Sequence, residues 1–262
     1  MTMPFRPRWY FFVALVSITF IGPLSLHLFI PAMSVVKEAF GVSTGMAQLT
    51  MSLAMLSMAC FTVAYGGLSD RFGRKRVLLG GLVLFTCGAA TCMFAANLPM
   101  LLAGRILQGA GAGCGVVLAR AIARDVYGQD RVAQVIAYLT AAYVLGPMVA
   151  PPIGGQLTTL FGWRALFVLA SAVGLLVILA VAFAVPETRA RNVAAPRGVY
   201  SGYKSLLRRP RFVCFMLQPG LMSGAFYTQA TAASFLAAEH LGADAAGDET
   251  ARHEADWKSE KP

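Results

Sequence analysis

Long apolar stretches separated by short basic connections constrain this sequence more than any other feature. Six stretches and a seventh, weaker one reach the length of about 20 residues that a helix needs to cross a bilayer. Lipid offers no partners to unpaired backbone groups, so such stretches are expected to be helical. The sequence therefore predicts an all-α membrane protein. The stretches cover residues 9–33, 46–68, 77–96, 100–119, 132–157, 165–185 and, with more polar residues, 212–238.

The composition argues against a soluble protein. Of 262 residues, 57% are hydrophobic and 13% are charged, whereas soluble domains carry about 25% charged residues. Too little polar sequence remains to cover the apolar stretches in water. The five cysteines fall inside these stretches without metal-ligand spacing. Since the sequence also lacks a nucleophile–base set, we expect neither an enzyme nor a metal site.

The net charge of +10 is concentrated in particular connections. Because basic loops remain in the cytoplasm, we expect the N-terminus there. Stretch 9–33 is too long for a cleaved signal peptide and is expected to stay in the membrane. No basic patch is interleaved with aromatic residues, so nucleic acid is not an expected partner. Lys37 and Arg164 lie in connections on the outer side, and fifteen basic residues lie on the other: Arg6, Arg8, Arg71, Arg74, Lys75, Arg76, Arg124, Arg131, Arg189, Arg191, Arg197, Lys204, Arg208, Arg209 and Arg211.

Four segments are expected along the chain. Residues 1–185 would form a bundle of six transmembrane helices, and residues 186–211 a basic cytoplasmic linker. Residues 212–240 would form a seventh transmembrane helix. Residues 241–262 are polar, and such a tail is expected to be disordered because it cannot bury enough apolar surface.

A glycine- and charge-rich motif connects the second and third stretches. Residues 66–76 read GGLSDRFGRKR, which resembles the loop motif of the major facilitator superfamily, G-x-L-a-D-r-x-G-r-k. Asp70 precedes the third helix, where a carboxylate can accept hydrogen bonds from N-terminal amides. The resemblance implies a cytoplasmic gate whose partners lie in a second half of the transporter. Its residues are Gly66, Asp70, Arg71, Gly73 and Arg74.

The fourth stretch carries an arginine among glycines. Residues 101–113 read LLAGRILQGAGAG, similar to the superfamily motif R-x-x-q-G-x-g-a. A charge in a membrane helix normally faces the bundle interior or a wet cavity. Arg105 is therefore a candidate functional residue, and the alternative is that it bonds carbonyl groups of a neighbouring helix. Glycines four residues apart, such as Gly109 and Gly113, permit close helix packing.

The fifth stretch ends in prolines and glycines. Residues 146–157 read GPMVAPPIGGQL, which resembles the antiporter motif G-P-x-x-G-G, with Ala150 where the strict pattern has glycine. The doubled form resembles the bicyclomycin/chloramphenicol-resistance branch of the drug–proton antiporters. In that family the motif accompanies export. The residues concerned are Gly146, Pro147, Pro151, Gly154 and Gly155.

The first stretch departs from this branch. Residues 25–32 read SLHLFIPA, whereas relatives typically have S-x-D-M-Y-L-P-A, so His27 stands at the position of an intramembrane acid. One hypothesis is that His27 replaces the acid as the proton-sensing group. The alternative is a histidine that serves helix packing. A depth estimate places His27 and Arg105 in the outer half of one cavity, with Phe29, Gln108 and Tyr143 as further lining residues.

The resemblance implies a proton-coupled exporter of small amphipathic or cationic drugs in the inner membrane. It would use the proton gradient and no cofactor, and it would need two six-helix halves that rock around a central site. We expect the chain to be the N-terminal half of such an exporter, from a truncated or frame-shifted gene. It would be active only with a second copy or a complementary C-terminal half. A non-transporting membrane fragment is the second hypothesis. A metabolite uptake symporter is the third and is disfavoured by the fifth-helix motif.

Overall fold

The computed structural model describes residues 9–188, 207–218, 220–222 and 225. The chain divides into two units, Met1–Val199 and Tyr200–Pro262. In the first unit, helices follow one another with short connections. They are α1 (Trp9–Leu28), a 3-10 turn (Ile30–Ala32), α2 (Met33–Phe40), α3 (Thr44–Phe72), α4 (Arg74–Met93), α5 (Leu98–Phe161) and α6 (Arg164–Ala184). The predicted all-α membrane fold is confirmed.

Five segments among the described residues are long and apolar enough to cross a membrane, and α5 is one of them with 64 residues. This helix bends at Gly128, which has φ 65° and ψ −176°. We call residues 98–127 the first arm of α5 and residues 129–161 its second arm. The predicted stretches 100–119 and 132–157 therefore fall in different arms.

The contacts of α1 show that the two arms are antiparallel. Just before the bend, the Tyr127 ring lies 6.1 Å from the Phe11 ring. Further from the bend, Gly115 of the first arm packs on Ile18, and Gly146 of the second arm packs on Pro23. Moving away from Gly128 along either arm thus leads in the same direction along α1. With the two arms of α5 counted separately, the five segments contain six long helical passes in the described residues. The organisation of residues 1–185 into six transmembrane helices remains a prediction.

Glycines place the first arm of α5 at the centre of the bundle. A Cβ atom on Gly109 would overlap the backbone of Ala54 in α3, and one on Gly111 would overlap the backbone of Phe85 in α4. A Cβ on Gly115 would overlap the Ile18 carbonyl of α1. Side chains at these positions would hold the three neighbouring helices apart, so the glycines fix how closely they pack.

Helix boundaries differ from the prediction in several places. The helix α3 extends to Phe72, so Asp70 and Arg71, expected in a connection, lie in its last turn. The first helix was expected to continue to residue 33, but it ends at Leu28, and Pro31 lies in the 3-10 turn that leads into α2. Proline removes a backbone donor, which favours an interruption there. Arg124 and Arg131 were expected in a loop and instead lie in α5, where only Gly128 departs from helical geometry.

In the second unit, residues 210–218 are helical and mostly exposed. The predicted linker 186–211 and seventh helix 212–240 lie partly outside the described residues, and the predicted tail 241–262 lies entirely outside them. These segment boundaries remain predictions.

Candidate functional site

Arg105 lies completely buried in the first arm of α5. Its Nε donates to the Thr50 carbonyl oxygen at 3.2 Å, and one terminal nitrogen donates to Gln108 Oε1 at 2.7 Å. The other terminal nitrogen lies 3.7 Å from the Met51 sulfur. These contacts join α5 to α3 and include the bond to a neighbouring helix carbonyl that the sequence offered as an alternative.

Aromatic rings extend from Arg105 towards the end of the bundle that carries α2. The guanidinium carbon lies 4.6 Å from the Phe29 ring centre and 5.9 Å from that of Phe167. The Phe29 and Phe167 rings are 5.6 Å apart, and Phe167 lies 6.0 Å from Trp163. Trp163 in turn lies 5.7 Å from Phe40 of α2. A continuous aromatic column thus connects the buried cation with α2.

The positive charge of Arg105 is compensated by dipoles and π faces. Within the described part of the chain, no carboxylate lies at ion-pair distance from it. A buried charge is costly unless its donors are satisfied, and cation–π contacts contribute about 2 kcal/mol or more when desolvated. The carbonyl, the amide and the two rings therefore hold the guanidinium in one orientation.

His27 is buried in α1, with 7% of its surface exposed. Its Nδ1 lies 2.8 Å from the carbonyl oxygen of Pro23, one helical turn earlier. Since a carbonyl oxygen only accepts hydrogen bonds, Nδ1 is the donor in this pair. The imidazole is therefore oriented by its own helix rather than by Arg105.

The second arm of α5 packs on α1 through the proline–glycine motif. A Cβ atom on Gly146 would lie 2.5 Å from Pro23 Cβ, and one on Gly154 would overlap the Leu28 carbonyl oxygen. Gly155 is different, because a Cβ there would lie 4.0 Å from its nearest neighbour, Pro31 Cβ. Pro147 and Pro151 lie inside the arm with Pro152. The motif thus faces the part of α1 that carries His27.

The structure brings together three of the five predicted pathway residues: Phe29, Arg105 and Gln108. His27 lies in the last turn of α1, two residues before Phe29, which precedes the 3-10 turn. Tyr143 is half-buried on the second arm, three residues before Gly146. The sequence did not indicate Thr50, Met51 or Phe167 as partners of Arg105. A backbone carbonyl and apolar side chains carry no motif that would have revealed them.

At the opposite end of the bundle, Arg74 joins three segments. Its side chain forms ion pairs with Asp70 at 2.7 Å and with Asp125 at 3.2 Å, and it donates to the Ser69 hydroxyl oxygen at 2.5 Å. Its backbone amide donates to the Glu187 carboxylate at 2.8 Å. Part of the predicted gate therefore finds its partners within the first unit. We call this group the Arg74 cluster.

The remaining residues of the predicted gate surround the Arg74 cluster. Gly73 has φ 103°, and a Cβ there would lie 2.5 Å from a carboxylate oxygen of Glu187. The Gly66 carbonyl oxygen accepts a hydrogen bond from Ser69 at 2.9 Å. Arg71 is exposed, and its guanidinium lies 5.3 Å from the centre of the Phe72 ring. Among the residues described, no group of three or more His, Cys, Asp and Glu side chains is arranged to hold a metal ion.

The sequence is similar to those of known membrane transporters. The sequence profile of the Major Facilitator Superfamily matches residues 15–248. Multidrug resistance protein D of Escherichia coli (strain K12) is 33% identical over 206 residues, covering 78% of this chain and 51% of that protein. The bicyclomycin resistance protein homolog of Haemophilus influenzae is 27% identical over 234 residues, covering 88% and 59%. These relatives confirm the resemblance to the drug-resistance branch, and the chain spans about half the length of the curated relatives it matches.

Solved structures show the same fold. The proton:xylose symporter XylE superimposes with a TM-score of 0.61 and 15% identity over 69% of this chain and 45% of its own. The human organic anion transporter MFSD10 superimposes with a TM-score of 0.56 and 19% identity over 73% and 52%. At these identities the likeness concerns the fold alone. With its matching profile, its apolar helices and its shared fold, this multi-pass membrane protein belongs to the major facilitator superfamily.

Proposed function

We propose that this chain acts as the N-terminal half of an inner-membrane exporter that exchanges protons for small amphipathic or cationic compounds. The observation that carries the proposal is the packing of Gly146 and Gly154 on α1, because the motif that holds them accompanies export in the family it resembles. The names of the relatives, multidrug and bicyclomycin resistance proteins, support the same class of substrate.

Proton coupling is proposed to depend on His27. The acids of the first unit's described residues lie near the helix ends or connections and are Glu38, Asp70, Asp125, Asp130 and Glu187. Histidine is the residue type that changes charge near neutral pH. A buried histidine in α1, at the position of the acid in the motif that this segment resembles, therefore supplies the proton site within the membrane. Phe29, Arg105, Gln108 and Tyr143 complete the proposed pathway.

Transport in this fold requires two halves that rock around a site between them. We propose that a second copy or a complementary C-terminal half supplies the other side of the pathway. The Arg74 cluster would close the cytoplasmic end, with the N-terminus in the cytoplasm.

A second candidate function is that of an assembly partner without transport activity. Phe29, Arg105 and Gln108 favour it, because they are buried and satisfied by contacts inside the bundle. The proposed exporter needs these side chains to become accessible when the halves rock.

Inside-out vesicles test both functions. The vesicles would carry the chain alone or two copies joined in tandem, and a pH-sensitive dye would report proton release when a drug is added. We expect drug-induced proton movement in vesicles that carry at least one of the two forms. We also expect that form to make a drug-sensitive host resistant. Absence of movement and of resistance in both forms would support the assembly partner.

Orientation is tested separately with reporter fusions after residues 74 and 200. Both reporters are expected on the cytoplasmic side. A reporter active outside the cell would contradict the proposed orientation without bearing on the fold.

A further inference from the structure

His27 lies between two places where the second arm of α5 packs closely on α1. Four residues before it, Gly146 packs on Pro23, and one residue after it, Gly154 packs on the Leu28 carbonyl. The first contact involves the peptide group that orients the imidazole. A Cβ on Gly146 would lie 3.3 Å from the carbonyl carbon of Pro23, whose oxygen accepts from His27 Nδ1.

The bond to Pro23 assigns different roles to the two ring nitrogens. A neutral imidazole carries its proton on one nitrogen and a lone pair on the other. With Nδ1 donating to the carbonyl, Nε2 holds the lone pair and is the atom at which a proton can be taken up. The position of the Pro23 carbonyl thus determines which nitrogen is available.

We propose that Gly146 and Gly154 are positioning residues for His27, which hold α1 so that Nδ1 stays on the Pro23 carbonyl and Nε2 takes up the proton. The inference rests on the proposed function only for the use of that proton. The positioning itself is a property of α1 and the second arm, within residues that the structure describes.

These contacts predict a difference between the glycines of one motif. A methyl group on Gly146 must displace the Pro23 ring at its Cβ, which is fixed directly to the backbone, and a methyl group on Gly154 must displace the Leu28 carbonyl oxygen. A methyl group on Gly155 would make an ordinary contact with Pro31 at 4.0 Å. Gly155→Ala is therefore the matched control for Gly146→Ala and Gly154→Ala.

Nitrogen-15 NMR of histidine-labelled protein in detergent tests the inference without requiring transport. Substitutions His240→Gln and His253→Gln leave His27 as the single histidine of the chain. In this background and in Gly155→Ala, we expect Nδ1 to show the shift of a protonated nitrogen and Nε2 that of a lone-pair nitrogen. Gly146→Ala and Gly154→Ala are expected to give a mixture of both tautomers.

A parent protein with the proton on Nε2 would overturn the inference, and this outcome needs no variant to fold. So would Gly146→Ala and Gly154→Ala proteins that keep the parent helicity and the parent tautomer. A negative vesicle assay with the expected tautomers would instead count against the proposed exporter and leave the positioning intact.

Discussion

The backbone amide of Arg74 donates a hydrogen bond to the Glu187 carboxylate at 2.8 Å across 113 residues of sequence. This amide belongs to the first turn of α4, whose N-cap residue, Gly73, has no side chain to cap it. Glu187 therefore supplies the acceptor that a capping residue normally provides, and its charge complements the helix dipole. The segment after α6 is thereby attached to the start of α4.

Replacement of Gly73 by alanine is expected to destabilise the bundle. The residue has φ 103° and ψ 147°, a conformation that costs a non-glycine residue about 1–3 kcal/mol, and the methyl group would meet Glu187. Thermal unfolding in detergent should show a lower midpoint for Gly73→Ala. Gly80→Ala is the control, because a Cβ there meets nothing within 4 Å. Equal midpoints for the two variants would refute this explanation.

Removal of the Glu187 carboxylate should weaken the same attachment. We expect Glu187→Ala to lose about 0.5–2 kcal/mol, as a lost helix cap does, and Glu187→Gln to lose less because an acceptor remains. Amide hydrogen exchange of Arg74 and its neighbours measures the effect locally. Glu38→Gln serves as a control, because it removes a carboxylate from α2 at the opposite end of the bundle. Unchanged protection of the α4 N-terminus in Glu187→Ala would contradict the capping role.

We expect lysine at position 105 to be less stabilising than the native arginine. Its ammonium group can approach one of the partners, but it has neither the planar donors for Thr50 and Gln108 nor the stacking surface for Phe29. Each buried group left unpaired costs about 1–3 kcal/mol, so Arg105→Lys and Arg105→Ala should both unfold at lower temperature. Arg76→Lys, on an exposed residue, should not. A parent-like midpoint for Arg105→Lys would show that charge alone suffices.

Substitution of His27 tests the proton site in the assembled transporter. His27→Ala is expected to abolish the drug-induced proton movement in vesicles, whereas His27→Asp, which introduces the acid of the motif that this segment resembles, should retain part of it. The alanine variant should still unfold near the parent temperature. Full, proton-dependent efflux by His27→Ala would remove this residue from the mechanism.

Close packing of the central arm can be tested at Gly109. A methyl group there must separate α5 from α3 at Ala54, and overpacking of this kind costs about 1–3 kcal/mol. We expect Gly109→Ala to unfold at a lower temperature than Gly45→Ala, where a Cβ meets nothing within 4 Å. If both variants behave like the parent, the glycine does not set the helix spacing.

The apolar stretches predicted the long helical passes well because hydrocarbon thickness fixes their length. They did not predict that α5 continues between residues 119 and 132, where polar residues extend the helix on both sides of Gly128. Backbone hydrogen bonds maintain a helix where hydropathy no longer indicates one.

The residues of the candidate site were predicted more completely than their partners. Motifs identified Arg105, His27 and Gly146, but hydropathy and spacing do not reveal that Pro23 orients His27. The capping role of Glu187 was also missed, because a contact between residues so distant in sequence depends on the packing of whole helices. Asp70 was expected near the N-terminal amides of the third predicted stretch, which is α4. It pairs with the Arg74 side chain instead.

The orientation of the second arm depends on the number of residues between the bend at Gly128 and the motif. An α-helix turns by about 100° for each residue, and the connection between the arms is a single non-helical residue. Inserting or deleting one residue beside it would therefore rotate the face that carries Gly146 and Gly154 away from α1. The bend, eighteen residues before Gly146, thus determines whether the motif faces His27. We therefore expect this short connection not to tolerate changes in length.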